Sequence, residues 1–262
     1  MLIKKLTLRI KKQSFYTFTL NHLHRYKMKN CIIASTSTLY NEDYLDYLLP
    51  ELKLHFKDCK TVLFIPFARP GGITHDDYTA KASIAFAKIN IVLQGIHSFE
   101  DQKEAIRNAE GFFTGGGNTF LLVKQLYKND LMNVLAENIK KGTPYLGTSA
   151  GSNICGLSIQ NTNDMPIVYP PSFQTLGLIP FNLNPHYLDA DNQSRHMGET
   201  REMRIQEFHA FNAIPVLGLR EGSWLDVKGS KITLKGNLQA RLFRQNQLAV
   251  ELETGSDLSY IN

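Results

Sequence analysis

The sequence predicts an α/β protein in three layers: a parallel sheet with helices on both faces, and antiparallel strands added near the C-terminus. Three observations point there. Short β-branched or aromatic runs alternate with longer segments of helical periodicity between residues 31 and 147, which is the pattern of βαβ units. The run Val62-Leu-Phe-Ile65 is apolar throughout, as a strand buried on both faces must be. Beyond residue 215 the pattern changes to short alternating segments separated by Gly or Asn, and these read as antiparallel strands joined to one edge.

Taken in order, strands are expected at 31–35, 61–67, 91–96, 111–114 and 143–147. Helices are expected between them at 42–56, 76–89, 101–108 and 118–140. The later apolar stretches Leu176–Leu183 and Pro215–Leu219 are followed by Ser223–Val227, Lys231–Leu234, Arg241–Phe243 and Leu248–Leu252. The chain has 262 residues, 43% of them hydrophobic, with no repeat and no low-complexity linker. One catalytic-sized domain over residues 31–262 accounts for that length.

The formal charge of +5 suggests nucleic acid until its distribution is read. Residues 1–30 carry eight Lys/Arg and no acid, leaving 21 basic against 24 acidic residues, a net of −3, in the remainder. No nucleic-acid partner is therefore expected. The basic segment lacks a run of about 18 apolar residues and the apolar centre of a secretory signal, so no membrane partner is expected either. It reads as a disordered arm or as sequence upstream of a start at Met28, with a targeting role as the alternative. Three cysteines, Cys31, Cys59 and Cys155, without CxxC spacing, argue for a reducing, cytoplasmic setting and against a zinc site. Cys155 reads as a small buried apolar residue.

Two loops at the carboxyl ends of predicted strands draw attention, because open parallel sheets bind ligands there. Gly147-Thr-Ser-Ala-Gly151 places a serine on a sharp strand-to-helix turn. Glycines on both sides permit the backbone that lifts the hydroxyl clear, and Ala150 is small. The pattern alone is common by chance and fits a plain glycine-rich turn as well. Gly115-Gly-Gly-Asn118 follows the strand Gly111–Thr114 and opens a helix near Thr119. A phosphate loop would continue with Lys-Ser/Thr, whereas Thr119-Phe120 follows here. An oxyanion hole fits better, built from the N–H of Gly116 or Gly117 and that of Ala150.

A serine nucleophile needs a histidine and usually a carboxylate. Of eight histidines, His22 and His24 lie in the basic arm, and His55, His75, His97, His196 and His209 fall in surface segments or helices without special chemistry. His186 follows Asn184-Pro185 at a strand end, a stiff place for an imidazole, although a satisfied loop histidine fits that position too. For the acid the candidates are Asp189, Asp191, Glu199 and Glu221. Glu221 is favoured because it follows the strand Pro215–Leu219 and precedes Gly222, whereas Asp189 and Asp191 read as solvated loop residues. The order Ser, His, Glu departs from α/β-hydrolases, where the acid precedes the histidine.

Six motifs, GGGNTF at 115–120, GTSAG at 147–151, TNDMPIV at 162–168, NPHY at 184–187, GETRE at 198–202 and REGSWL at 220–225, together resemble the peptidase E family of α-aspartyl dipeptidases. The similarity runs from residue 31 to the C-terminus. It implies a class I glutamine amidotransferase-like fold, a Ser149–His186–Glu221 triad, and cleavage of small Asp-Xaa peptides. It also requires a cation for the substrate's β-carboxylate. Arg201 is the choice, since a guanidinium forks onto a carboxylate; the competing reading puts Arg201 on the surface of a helix running to Phe211. Asn118, Asn163 and Asp164 are expected around the free α-amino group. The resemblance implies no metal and no organic cofactor, and a monomer or homodimer fits equally. Thr148 stands where the best-known relatives lead one to expect tryptophan, so a reshaped pocket wall is expected. A cyanophycinase-like hydrolase and a non-catalytic amidotransferase-like binding protein are the alternatives.

Overall fold

Strand pairing in the computed structural model, which describes residues 28–190 and 198–262, follows the alternation of apolar runs. The basic arm up to residue 27, with His22 and His24, and the residues Asp191 and His196 lie outside the described residues. β1 (Asn30–Ala34), β2 (Thr61–Ile65), β3 (Val92–Gly95), β4 (Phe112–Thr114) and β5 (Tyr145–Thr148) are mutually parallel where they pair. They form a seven-stranded sheet in the order β3-β2-β4-β5-β1-β8-β9, closed by β8 (Ser223–Lys228) and β9 (Lys231–Gly236) running antiparallel.

The pleat sorts side chains between two cores, since successive residues of a strand face opposite sides. Cys31, Ile33, Leu63, Ile65, Phe112 and Tyr145 enter one cluster, and Ile32, Ala34, Val62, Phe64, Phe113 and Leu146 the other. The second cluster is covered by α1 (Leu49–His55) and α2 (His75–Ala87). The first is covered by α3 (Gln102–Asn108), α4 (Thr119–Lys128) and α5 (Met132–Lys140). The expected three layers are therefore present. α2 shows how local sequence sets an element: Thr74 accepts the Asp77 N–H at its start, Asp76 and Asp77 sit in the positive first turn, and Tyr78, Ala82, Ala85 and Phe86 make one buried stripe.

Three expectations are corrected. The helix expected at 118–140 is two, because Asp130 takes a left-handed φ of 55° and the N–H groups of Asp130 and Leu131 bond Tyr127 and Leu126 carbonyls, a Schellman stop that ends α4. The helix expected from residue 42 starts late, since buried Leu45 at φ 64° breaks the first turns; a 3-10 turn over Asp46–Leu48 leads into α1 with Pro50 in its first turn. The C-terminal strands do not all join one edge. β10 (Ala240–Phe243) and β11 (Val250–Leu252) pair instead with β6 (Asn182–Pro185) and β7 (Val216–Leu219) in a second sheet, ordered β11-β10-β7-β6. Residues 176–181 precede β6 as irregular backbone. Apolar side chains of this second sheet, such as Leu183, Leu217, Leu219, Leu242 and Leu252, merge with the first cluster.

Candidate active site

Register decides the site before any side chain does. Thr148, the last residue of β5, pairs with Ala34 at the end of β1, and Gly147 pairs with Thr114 at the end of β4. The turn after β5 therefore lies between the loops after β4 and β1. In the second sheet Pro185 pairs with Leu219, which sets His186 beside Arg220-Glu221.

Ser149 leads into α6 (Ala150–Asn153), with φ 54° and ψ −111°, a backbone that costs a non-glycine residue about 1–3 kcal/mol and persists only where its surroundings hold it. Here the Ser149 N–H bonds the Ala34 carbonyl at 3.2 Å, and Ser152 Oγ donates to the same oxygen at 2.6 Å. The flanking glycines are demanded by contact. A Cβ on Gly151 would stand 2.1 Å from the Thr114 carbonyl oxygen, and one on Gly147 2.6 Å from the Gly151 oxygen.

His186 also has a left-handed φ, 53°. Its N–H donates to Ser35 Oγ at 2.9 Å, and that buried hydroxyl donates to the Leu219 carbonyl at 2.7 Å. His186 Nε2 lies 2.9 Å from Ser149 Oγ and Nδ1 lies 2.6 Å from Glu221 Oε1. A carboxylate only accepts, so Nδ1–H is the donor and the Nε2 lone pair faces the serine hydroxyl. Three residues from three strand ends thus form one hydrogen-bonded chain.

Gly116 packs on the serine: its missing Cβ would be 3.0 Å from Ser149 Cβ. Tyr78 Oη donates to the Gly116 carbonyl at 3.2 Å. Gly117 has φ 145°, and a Cβ there would meet the Ala68 oxygen at 2.2 Å. The Gly115 N–H is taken by Ile65 O and the Asn118 N–H by Ala68 O, whereas no hydrogen bond among the described residues engages the N–H of Gly116, Gly117 or Ala150.

A cavity of about 180 Å³ opens beside Ser149, walled by Thr119, Asn153, Thr162, Asn163, Asp164, Pro185, His186 and Arg201 among others. Arg201 is the first residue of α7 (Arg201–His209), where Thr200 caps Met203 N–H. A cation in the first turn opposes the helix dipole, and no ion pair or hydrogen bond among the described residues relieves it; Arg204, by contrast, pairs with Glu199 at 3.5 Å. Burial pushes the Arg201 guanidinium below its ordinary pKa, Arg204 adds to that, and Asp164 opposes it. The site thus holds a guanidinium without a direct ion pair among the described residues, in the field of the Asp164 carboxylate. Asp164 Oδ2 accepts the Thr119 N–H at 2.6 Å.

Of the two asparagines expected at the site, one is placed elsewhere. Asn118 does not line the cavity: its Oδ1 caps Leu121 N–H at 3.0 Å and its Nδ2 donates to Met165 O at 2.8 Å. Asn163 does line it, but its amide is exchanged with that of Asn184. Thr148 does not form a wall, being 0% exposed within β5. Asp189 lies in an exposed loop as expected, but it is paired there, through a double hydrogen bond with Arg220. His55 and His209, expected in surface segments or helices, end α1 and α7 and are buried against the Tyr145 and Ile214 carbonyls. Cys155 is fully buried, as expected.

Sequence reasoning missed Asn153 and Ser35. Asn153 Nδ2 donates to Thr162 Oγ1 at 2.7 Å and Thr119 Oγ1 at 3.3 Å, and its place four residues after Ser149, on the same helical side, was a usable signal. Ser35 had no signal beyond ending a strand. Among the described residues, no group of three or more His, Cys, Asp or Glu could hold a metal ion, and no helix is long and apolar enough to cross a membrane.

A strand-to-helix serine turn, an imidazole at its hydroxyl and a carboxylate behind the imidazole define the serine hydrolase class of site on an α/β sheet. Comparison with known proteins is consistent with this. The description of peptidase family S51 matches residues 31–235. The chain is 43% identical over 236 residues to the "Probable alpha-aspartyl dipeptidase" of Drosophila melanogaster, covering 89% of this chain and 97% of the relative. It is 45% identical over 230 residues to peptidase E of Streptomyces coelicolor, covering 88% and 93%. The crystal structure of a peptidase from an acI-B1 Actinobacterium superposes with a TM-score of 0.65 at 14% identity, covering 90% of this chain and 98% of that one, a likeness of fold. This chain belongs to peptidase family S51, and its architecture is the class I glutamine amidotransferase-like one.

Proposed function

We propose that the protein is a serine peptidase that hydrolyses dipeptides with an N-terminal aspartate through an acyl-enzyme on Ser149. One observation carries this reading: the Ser149–His186–Glu221 chain, at 2.9 and 2.6 Å, borders a cavity lined by both a guanidinium and a carboxylate. An N-terminal aspartyl residue carries the matching pair, a β-carboxylate for Arg201 and an α-ammonium for Asp164. The name borne by the Drosophila relative supports the same substrate class.

In this mechanism His186 Nε2 takes the Ser149 proton as Oγ attacks the aspartyl carbonyl carbon. The oxyanion is received by the Ala150 N–H and by that of Gly116 or Gly117. Glu221 holds the ring and stabilises the imidazolium. The imidazolium then protonates the leaving amine as the C–N bond breaks. Water, deprotonated by the same nitrogen, attacks the ester and releases aspartate. Asn118 and Asn163 act indirectly, by fixing the Met165 and Asn184 segments around the amino-group site. The chemistry needs no metal or organic cofactor. Residues 31–262 serve as one catalytic unit, and the odd number of cysteines without CxxC spacing supports a reducing compartment such as the cytoplasm.

A hydrolysis panel of Asp-Leu, Glu-Leu, Asn-Leu and Leu-Leu tests the assignment. Turnover confined largely to Asp-Leu is expected, and comparable kcat/KM on Leu-Leu would overturn it.

A further inference from the structure

The loops after β6 and β7 carry His186 and Glu221, yet neither loop sets their separation alone. His186 stands in a left-handed conformation that its surroundings must hold. The next residue, Tyr187, bonds Leu219 O through its N–H at 3.2 Å and lays its buried ring on Gly218, where a Cβ would approach the ring to 2.7 Å. The Arg220 guanidinium covers that ring at 5.5 Å.

Arg220 then uses all five of its donors. Nε and Nη2 reach both oxygens of Asp189 at 2.9 and 2.8 Å. Nη1 and Nη2 reach both oxygens of Glu251, on β11, at 2.9 and 3.1 Å, and Nη1 also reaches Gln239 O at 2.8 Å. Asp189 lies three residues after His186, and Arg220 immediately precedes Glu221. Glu251 also accepts from Arg241 at 3.0 Å, and Arg241 pairs with Glu202, beside Arg201, at 3.1 Å.

We propose that Arg220 is the positioning residue of the His186–Glu221 pair: its forked bond to Asp189 ties the two loops together and sets where Glu221 meets the imidazole. This rests on the reading of Ser149 as nucleophile. The requirement is geometric, so lysine, a point charge with three donors, cannot meet it. The groups facing the guanidinium are Asp189, Glu251 and the Tyr187 ring; those facing the imidazole are Glu221 and Ser149.

The test compares wild type with Arg220→Lys, Asp189→Asn, the double variant and Glu251→Gln. Two readouts are made per folded molecule: the rate at which a fluorophosphonate labels Ser149 across pH, and kcat and KM on Asp-Leu. Arg220→Lys is expected to lower the labelling rate and kcat about 10- to 100-fold, the range for a misplaced reacting group, with KM nearly unchanged. The pH profile of labelling should change with it, since the carboxylate that meets the imidazole is displaced. Asp189→Asn should reproduce this and the double variant should add little, as partners in one bond do. Glu251→Gln, which leaves the Asp189 fork intact, should cost less. An Arg220→Lys protein with wild-type labelling rate and pH profile, whatever its melting temperature, overturns the proposal. Wild type that labels at Ser149 but spares Asp-Leu overturns the substrate reading alone, while wild type that does not label at all overturns both.

Discussion

Ser149, His186 and Glu221 come from three strand ends, at positions 149, 186 and 221, and meet within 2.6–2.9 Å. Ser149→Ala is expected to lower kcat on Asp-Leu by on the order of 10⁴–10⁶, with an unchanged far-ultraviolet circular dichroism spectrum; near-normal turnover would remove Ser149 from the chemistry. Arg201→Met should reduce kcat/KM on Asp-Leu far more than any residual rate on Leu-Leu, because only the aspartyl substrate brings a β-carboxylate to the guanidinium. Equal losses on both would deny it a role in specificity. The three-residue chain was legible in sequence because each member follows an apolar strand, where a parallel sheet collects its functional groups. Asn118 was legible as a site residue but not as a cap. A short amide before a helix serves either purpose, and only the bonds to Leu121 and Met165 distinguish them.

At the level of elements, the serine turn depends on the close approach of α6 to β4. Gly151→Ala places a methyl group 2.1 Å from the Thr114 carbonyl oxygen, so a loss of at least about 2 kcal/mol in urea unfolding is expected, together with loss of activity as the turn moves. α1 supplies a pH dependence. His55 Nε2–H donates to Tyr145 O inside the core, and burial, with Lys228 adding to it, lowers its pKa to about 3. The unfolded chain protonates this histidine below its ordinary value near 6.5 while the folded chain does not. Stability is therefore intact above that value and falls as pH drops toward about 3, by at most about 1.4 kcal/mol per pH unit for one group. His55→Gln should flatten the decline, read as melting temperature against pH; an unchanged slope would place the acid sensitivity elsewhere. The stop between α4 and α5 was hidden in the sequence, because the apolar pattern continues through Asn129-Asp130.

At the scale of the molecule, the second sheet is what brings His186 and Glu221 to Ser149. Its ionic chain from Asp189 through Arg220, Glu251 and Arg241 to Glu202 links both loops to the helix bearing Arg201. Hydrogen bonds from Arg220 hold the Asp189 and Glu251 carboxyls below their ordinary pKa values. Their contribution is present above the usual carboxylate range and lost as pH falls through the depressed values. All the proposed catalytic and substrate-binding residues lie between Gly116 and Glu221, and the family match begins at residue 31. A chain starting at Met28 should therefore keep the kcat/KM of the full chain on Asp-Leu, and a large loss would give residues 1–27 a part in catalysis.

Local sequence was enough for the parallel α/β architecture, the glycine-bounded serine turn and the placing of His186 and Glu221 at strand ends. Each is written in local terms, as apolar runs, turn glycines and residues at strand ends. It took the folded molecule to show that the C-terminal strands divide between two sheets, that Asp189 serves Arg220, that Thr148 is sealed in the core, and that Arg201 lines the cavity with no direct ion pair among the described residues. Those outcomes depend on register and on contacts between residues far apart in the chain. A short alternating strand pairs equally well with either sheet edge until long-range packing selects one.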